Sequence, residues 1–485
     1  MKNKTIFLVM ADTPHGRKNY PPYPLLYLGN ALKKSGYTVK VRHVLEKDFD
    51  NVVNEICMEP PLLVGLSTIT GLHVSYTVKL SKAIRKKNQA IPICWGGIHP
   101  SMLSEQCLNE EYIDFIVKGD GEETIVELAN QLNGAKKFSK IKGLGYKKRG
   151  KIFVPTQRFT DLSKVRADFS LINIESYFRT FPEGQKRVLS YITSKGCPHG
   201  CTFCYNLKYN KRKWRSYPLK NIKEDIDFLK KNYDVDGISF IDDNFFVNKE
   251  RAFKILEHLD LPSAFDLRMD YITEPLLKKL KKLKVLKFLV GVESGSDNMQ
   301  KVVNKGYTID YAKKIIKLFA KYHFRCHYGF IIALPTETRE EIRKTVELMV
   351  YIIENHKEGT FSPGQYLPFP GTPLYDKAIE MGFKRPKTTE GWYVLDRWSN
   401  KMKLEWSPVN TNFCYYIKWY SFFIAARIPL ITIICKWRLK TLNFKLPLEL
   451  KLLLFIYRAS ARSNSKMGKI IRLLAKPFQF KFNKL

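Results

Sequence analysis

Along the first 150 residues, short unbroken apolar runs alternate with stretches whose apolar positions return every three or four residues. "KTIFLVMA" (Lys4 to Ala11), "PLLVGLSTIT" (Pro61 to Thr70) and "IPICWGG" (Ile91 to Gly97) read as strands buried on both faces. "YPLLYLGNALKKSGYTVKVRHV" reads as helix, glycine break and strand. "VSYTVKLSKAIRKK" reads as an amphipathic helix, and "IDFIVKGDGEETIVELANQL" as strand, turn and helix. Strands with no polar face, separated by helices, predict a doubly wound, Rossmann-like α/β domain over residues 1–150, with its ligand over the strand C-termini. Three stretches stand there: Ser67-Thr68-Ile69, Gly96-Gly97 and Gly119-Asp120-Gly121-Glu122. Glycines let a ligand approach the backbone, and helix N-termini favour anionic groups. The plain reading of each stretch alone is a turn.

The pattern repeats over residues 185–385. Strand candidates are "VLSYITS", "GISFIDD", "AFDLRMD", "KFLVGVES", "HYGFIIALP" and "GQYLPFPG", and amphipathic helices separate most of them. Six β/α units predict a partial (β/α)6 barrel with its site at the strand C-termini. Residues 151–184 read as a linker, and residues 386–485 as a mainly helical, basic region.

At 485 residues and 45% hydrophobic content the chain has enough material for two or three packed domains. A disordered protein and a solenoid are excluded. The formal charge of +36 attracts polyanions, or else coats a solvated surface. Nine cysteines, an odd number and mostly isolated, and a strand-like Met1 to Met10 predict a reduced, cytoplasmic setting. From 401 to 485 there are 17 Lys/Arg against two Glu. The apolar run Tyr420 to Cys435 is short for a span and contains Arg427 and Pro429. Helices lying on the inner face of a membrane fit this tail; a helical domain closing the barrel mouth is the other reading. Nucleic acid is disfavoured, because no RNA-binding module accompanies the charge.

"SKGCPHGCTFCYN" (Ser194 to Asn206) places Cys197, Cys201 and Cys204 at C-x3-C-x2-C spacing. A zinc site would recruit His199, but no second Cys/His pair follows at finger spacing. The odd count and the compartment disfavour a disulfide. A 4Fe–4S cluster with three thiolates and one open iron remains. The motif, with Phe203 as its aromatic position, follows the first strand of the barrel and resembles the radical S-adenosylmethionine (radical SAM) superfamily. The resemblance implies that SAM fills the open iron with its amino and carboxylate groups, and that an external flavodoxin- or ferredoxin-like protein donates electrons. It also implies that Asp242 and Asp243 in "FIDDNFF" hold the methionine amino group, a helix N-cap pair being the alternative. Arg268 would contact a carboxylate or pair with an Asp. Glu293 and Ser294 in "GVESGSD" would bind the ribose or methionine moiety. A Glu closing an apolar strand is costly without a partner. "GFIIALP" resembles the adenine-side G-x-I-x-G-x-P, with Ala333 for the second glycine, a change tolerated if the backbone there has ordinary φ. "YLPFPGTPLYD" resembles the last strand and turn of cobalamin-dependent members.

The first domain in turn resembles the cobalamin-binding fold. Ser67-Thr68-Ile69 and Gly96-Gly97 are separated by 26 residues, as in its Ser-x-Leu and Gly-Gly elements. The slots of its Asp-x-His element fall near Tyr20 and Pro22 and do not match. The resemblance therefore implies cobalamin bound without a protein histidine on cobalt, among Ser67, Thr68, Gly96, Gly97, Gly119 and Glu122. His15 in "ADTPHG" is a poor substitute, and Tyr20-Pro-Pro-Tyr-Pro is expected to cover the lower face. Both resemblances together imply a class B-type methyltransferase acting on an unactivated carbon of a small, hydrophobic or lipid-like substrate. The motifs report cofactors and not products, so a cyclase, oxidase or ring-rearranging enzyme stays open. A non-catalytic cobalamin or Fe–S sensor or carrier is opposed by the intact cysteine set and Glu293.

Overall fold

The structure is a computed structural model and describes residues 4–13, 20–396, 402–425 and 427–461. His15 and residues 462–485 of the basic tail lie outside the described residues. Strands β1 (Thr5–Ala11), β2 (Thr38–Val44), β3 (Leu63–Ser67), β4 (Ile93–Gly96) and β5 (Phe115–Val117) pair in parallel in the order β2-β1-β3-β4-β5. Alternate residues of β1 enter opposite cores. Ile6 and Leu8 meet Leu25, Leu32, Ile125 and Leu128, whereas Phe7 and Val9 meet Val52, Val74, Val78 and Leu108. That two-sided burial is why the strands read as unbroken apolar runs.

An antiparallel hairpin, β6 (Leu144–Lys148) and β7 (Lys151–Phe153), extends the β5 edge. Its turn residues Arg149 and Gly150 both have positive φ, +49° and +74°, as primed two-residue hairpin turns require. The hairpin escapes the apolar pattern because its tip is Lys-rich and half exposed. Beyond it, Arg158 bridges to Gly119. Three short 3-10 turns then bury Leu162, Val165, Phe169, Ile174 and Tyr177 in the core of the second domain.

The second sheet holds β8 (Val188–Tyr191), β11 (Gly237–Phe240), β12 (Ser263–Asp266), β13 (Val285–Glu293), β14 (Arg325–Ile332) and β15 (Gly359–Gln365), all parallel and in chain order. The two-residue strands β9 (Ser194–Lys195) and β10 (Arg215–Ser216) form a separate brace after β8. The sixth strand lies earlier than "GQYLPFPG" suggests and ends at Gln365. Pro368 and Pro370 lack the N–H a ladder needs and push their predecessors out of register. Pro363 is accepted because β15 is an edge strand.

The C-terminal region first returns to the N-terminal domain. There Trp392 is fully buried and donates from Nε1 to Gln106 Oε1 at 2.9 Å. Gln106 donates to Pro386 O at 2.9 Å. The helix Thr411–Ala425 then packs along β15 and covers that edge. Helices Pro429–Thr441 and Leu448–Ala461 follow. Among the described residues no helix is long and apolar enough to cross a membrane.

Gly119, two residues past β5, has φ +95°, and a Cβ there would collide with the Arg158 carbonyl oxygen. Gly119→Ala is expected to lower stability by about 2–4 kcal/mol in denaturant titration. Gly150→Ala, where φ is also positive but the surroundings are open, should cost only about 1–2 kcal/mol.

Candidate active site

The cysteine loop is held before and after its three thiols. Lys195 and Ser194 pair with Arg215 and Ser216. Gly196, at φ +87°, packs where a Cβ would collide with Lys213 O, and its N–H donates to Asp243 Oδ2 at 2.9 Å. Asn304 donates to Gly200 O at 2.9 Å, and Thr202 Oγ1 to Val302 O at 2.7 Å. All nine cysteines are free. Among the described residues no three His, Cys, Asp or Glu side chains converge as the ligands of a single ion do, and His199 Nε2 is engaged by Tyr271 OH at 2.7 Å. Three free thiols distributed along one braced loop suit the corners of an iron–sulfur cluster. Burial pushes the Cys197 and Cys204 thiols up, Cys204 to about 12, so thiolates there need a metal's positive charge. Arg268 Nη1 donates to Cys201 Sγ at 3.4 Å, and Asn244 Nδ2 stands 4.0 Å from Cys197 Sγ. Donors to the sulfurs are one of the means by which a protein tunes such a cluster.

The strand ends supply the remaining residues, and the paired aspartates separate. Asp242 is buried and turned inward, accepting from Thr193 N–H, from Thr193 Oγ1 at 2.7 Å and from Ser194 Oγ. Asp243 faces the cysteine loop. It takes the Gly196 N–H and the Tyr205 hydroxyl, the latter at 2.7 Å. Arg268 pairs with Asp270 at 3.0 Å and donates to Lys305 O at 2.7 Å. Burial works against its charge, but Asp270 and the Cys201 sulfur outweigh it and keep it protonated. Ser294 is fully buried. Its hydroxyl meets Thr345 Oγ1 at 3.1 Å, on the helix behind the strand.

Glu293 has its partner. Lys305 Nζ lies 2.8 Å from its Oε1, both side chains nearly buried. Burial would strip Lys305 of its proton, and Glu293 reverses that. Lys305 follows a short helix twelve positions later, so no local spacing pointed to it. Glu293 itself sits at φ +71° after a register shift in β13, and a Cβ on Gly291 would collide with its carboxylate. Ala333 does not meet the condition of ordinary φ under which its methyl is easily tolerated. Its φ is +62°, its methyl is buried, and its carbonyl accepts Trp406 Nε1–H at 2.7 Å. Asp266, which the motifs did not single out, ends β12. Burial and the charges of Asp242 and Asp243 push its carboxyl up to about 7.

The strand C-termini of the first domain face the cysteine loop across a cavity of about 270 Å³. Ser67, Gly96, Gly97, Gly119 and Glu122 line it from one side, and Lys195, Tyr205, Tyr209 and Asp243 from the other. Thr68 does not line it. Its backbone instead buttresses Gly97, whose Cβ would collide with Thr68 O. Gly96 is open to the cavity, the nearest atom to a Cβ there being Val117 Cβ at 4.0 Å. Glu122 Oε2 is buried without a hydrogen-bond partner. Apolar walls, backbone-lined edges and an unsatisfied carboxylate oxygen fit a large cofactor with amide and hydroxyl groups, as cobalamin is. Among the described residues no histidine lines the cavity, and Tyr23 and Pro24 are among its apolar lining.

Lys195 crosses between the domains, 3.2 Å from Asp120 Oδ1 and 3.0 Å from Glu122 Oε1. Arg215 Nη1 reaches Asp120 Oδ2 at 2.5 Å. Of the buried pairs, Glu293–Lys305 is the better isolated. Lys305→Met should destabilise the protein by about 3–5 kcal/mol in denaturant titration, because it leaves a buried carboxylate uncompensated. Lys305→Met combined with Glu293→Gln should recover most of that loss.

Comparison with known proteins matches residues 16–129 to the B12 binding domain family and residues 191–349 to the radical SAM superfamily. An uncharacterized methyltransferase of Pyrococcus horikoshii is 29% identical over 398 residues, 78% of this chain and 84% of that one. The anaerobic magnesium-protoporphyrin IX monomethyl ester cyclase of Cereibacter sphaeroides is 27% identical over 387 residues, 74% of this chain and 60% of that one. The solved structure of the radical S-adenosylmethionine methyltransferase TsrM from Kitasatospora setae superposes with a TM-score of 0.65 at 20% identity, over 78% of this chain and 76% of that one, and so shares the fold. Residues 191–349 therefore form a radical SAM domain, joined to an N-terminal B12-binding domain at residues 16–129, the two cofactor-binding parts of a cobalamin-dependent radical SAM enzyme.

Proposed function

We propose that the protein is a methyltransferase that places a methyl group on an unactivated carbon of a small molecule. One observation carries this reading: Lys195, Tyr205 and Asp243, within or against the cysteine loop, also wall the first-domain cavity, so the two cofactors share one chamber. When bound, the cluster with SAM supplies a carbon-centred radical and cobalamin supplies the methyl group.

Cys197, Cys201 and Cys204 would hold the cluster, and Arg268 and Asn244 would donate toward its sulfurs. Asp243 would fix the loop and border the SAM side. Glu293, held by Lys305, would present a carboxylate oxygen at the end of β13. Gly96 and Gly97 would admit cobalamin against bare backbone, while Glu122 accepts from it. The walls would shield the space between from bulk water and so protect a radical from quenching. Ring closure or oxidation with the same cofactors is the second reading, kept open by the cyclase among the relatives.

A flavodoxin- or ferredoxin-like protein would deliver electrons. The basic C-terminal region would hold the enzyme on the cytoplasmic face of the membrane, within reach of a hydrophobic substrate.

The deciding experiment is anaerobic. Protein reconstituted with iron, sulfide and cobalamin is given SAM and a strong reductant, and 5′-deoxyadenosine and S-adenosylhomocysteine are assayed together. Both products appearing supports methyl transfer, whereas 5′-deoxyadenosine alone across candidate substrates moves the assignment to the second reading. Replacing any one of Cys197, Cys201 and Cys204 by Ala should remove the cluster's visible absorbance and both products. Gly96→Ala should leave the melting temperature unchanged and weaken cobalamin binding about ten-fold or more, read from the cobalamin spectrum on titration.

A further inference from the structure

Helices Pro429–Thr441 and Leu448–Ala461 carry large apolar side chains to solvent in a regular pattern. On the first, Leu430, Ile433, Ile434 and Trp437 follow the i, i+3, i+4, i+7 spacing of one helix face and are 76%, 65%, 43% and 52% exposed. On the second, Leu448, Leu452 and Phe455 follow i, i+4, i+7 and are 65%, 60% and 59% exposed. The opposite side of the first helix, Cys435 and Leu439, is buried against the protein. Its outer face is therefore surplus to the core. Ile433, Ile434 and Trp437 border one surface recess that Glu449 of the second helix also lines, and exposed apolar surface of this kind marks an interaction site.

The charge around the patch is predominantly positive, and Glu449, the one acid on the two helices, is paired with Arg438. Lys440, Lys445 and Lys451 are exposed. Arg438 stands 5.0 Å from the Trp437 ring centroid and pairs with Glu449, which also accepts from Tyr420 OH at 2.6 Å. The chain continues past the second helix into residues 462–485, whose sequence adds seven Lys/Arg and no acid.

We infer that these two helices form a seating surface for an anionic bilayer, with the apolar stripes in the acyl boundary and the lysines against lipid phosphates. The inference rests on the peripheral membrane contact proposed above and names the surface that makes it. The charge selects lipid over a second copy of the chain, because two copies meeting face to face would press like-charged rims together.

The test uses the full chain and no turnover, so it stands apart from the methyl-transfer assignment. Wild-type protein is sedimented with vesicles of equal parts phosphatidylglycerol and phosphatidylcholine, and with pure phosphatidylcholine. Binding should require the anionic lipid and weaken with added salt. The double variant Ile433→Glu with Trp437→Glu should partition about ten-fold or more less, with an unchanged melting temperature. Lys440→Glu with Lys445→Glu, which leaves the apolar stripe intact, should also weaken binding. If wild type ignores anionic vesicles, the membrane contact itself fails. If wild type binds and both variants bind equally well, the tail attaches elsewhere and this surface is overturned. A wild-type dimer that the apolar variant splits into monomers would assign the patch to a second copy.

Discussion

The site depends on one partly buried cation. Lys195 lies two residues before Cys197, and its ammonium is spent on Asp120 and Glu122 of the other domain. Burial acts to discharge Lys195, and those two carboxylates keep it protonated. Burial likewise acts to neutralise Asp120, and Lys195 and Arg215 hold its carboxyl below the usual range. Two acids and two bases balance, so the cluster is stable as a set and costly in any part. The same residues set the distance between the cysteine loop and the glycine loop Gly119–Glu122.

Left-handed backbone recurs around the chamber, as it does at turns elsewhere in the chain. Gly97, Gly119 and Gly196 take positive φ beside carbonyl oxygens that leave no room for a side chain. Glu293 and Ala333 take positive φ despite having one. A parallel strand that stops must turn its chain back over whatever binds there, and left-handed residues make the turn in the least space. For Ala333 the surroundings supply the compensation: Trp406 fixes its carbonyl, and the methyl is buried.

Much of this was legible in the chain. The parallel strands could be read because both faces are covered, and the candidate cluster ligands stand out because three cysteines share one loop. What stayed hidden was long-range pairing. Lys305 looks like any lysine in a Lys-rich sequence until the fold brings it to Glu293. Asp242 and Asp243 are chemically identical and adjacent, and only the strand's alternation sends one inward to Thr193 and Ser194. Ala333 itself carried no signal of its φ; the only pointer was the glycine that stands there in the G-x-I-x-G-x-P pattern it resembles. The β6–β7 hairpin was masked by its lysines, and the end of β15 by a glycine that looked like a beginning.

The shared chamber also carries an order of assembly. Residues 1–150 leave the ribosome first and can form their sheet, but they own only half of the wall. Lys195, Tyr205, Tyr209 and Asp243 arrive later, and the strap that buries Trp392 against Gln106 arrives later still. Domains fold as units during synthesis, the N-terminal one first. Until the second has docked, the glycine-lined ledge is an open shelf. A cofactor seated there as proposed would be retained only with both domains in place, and a chain cut after residue 150 would release it.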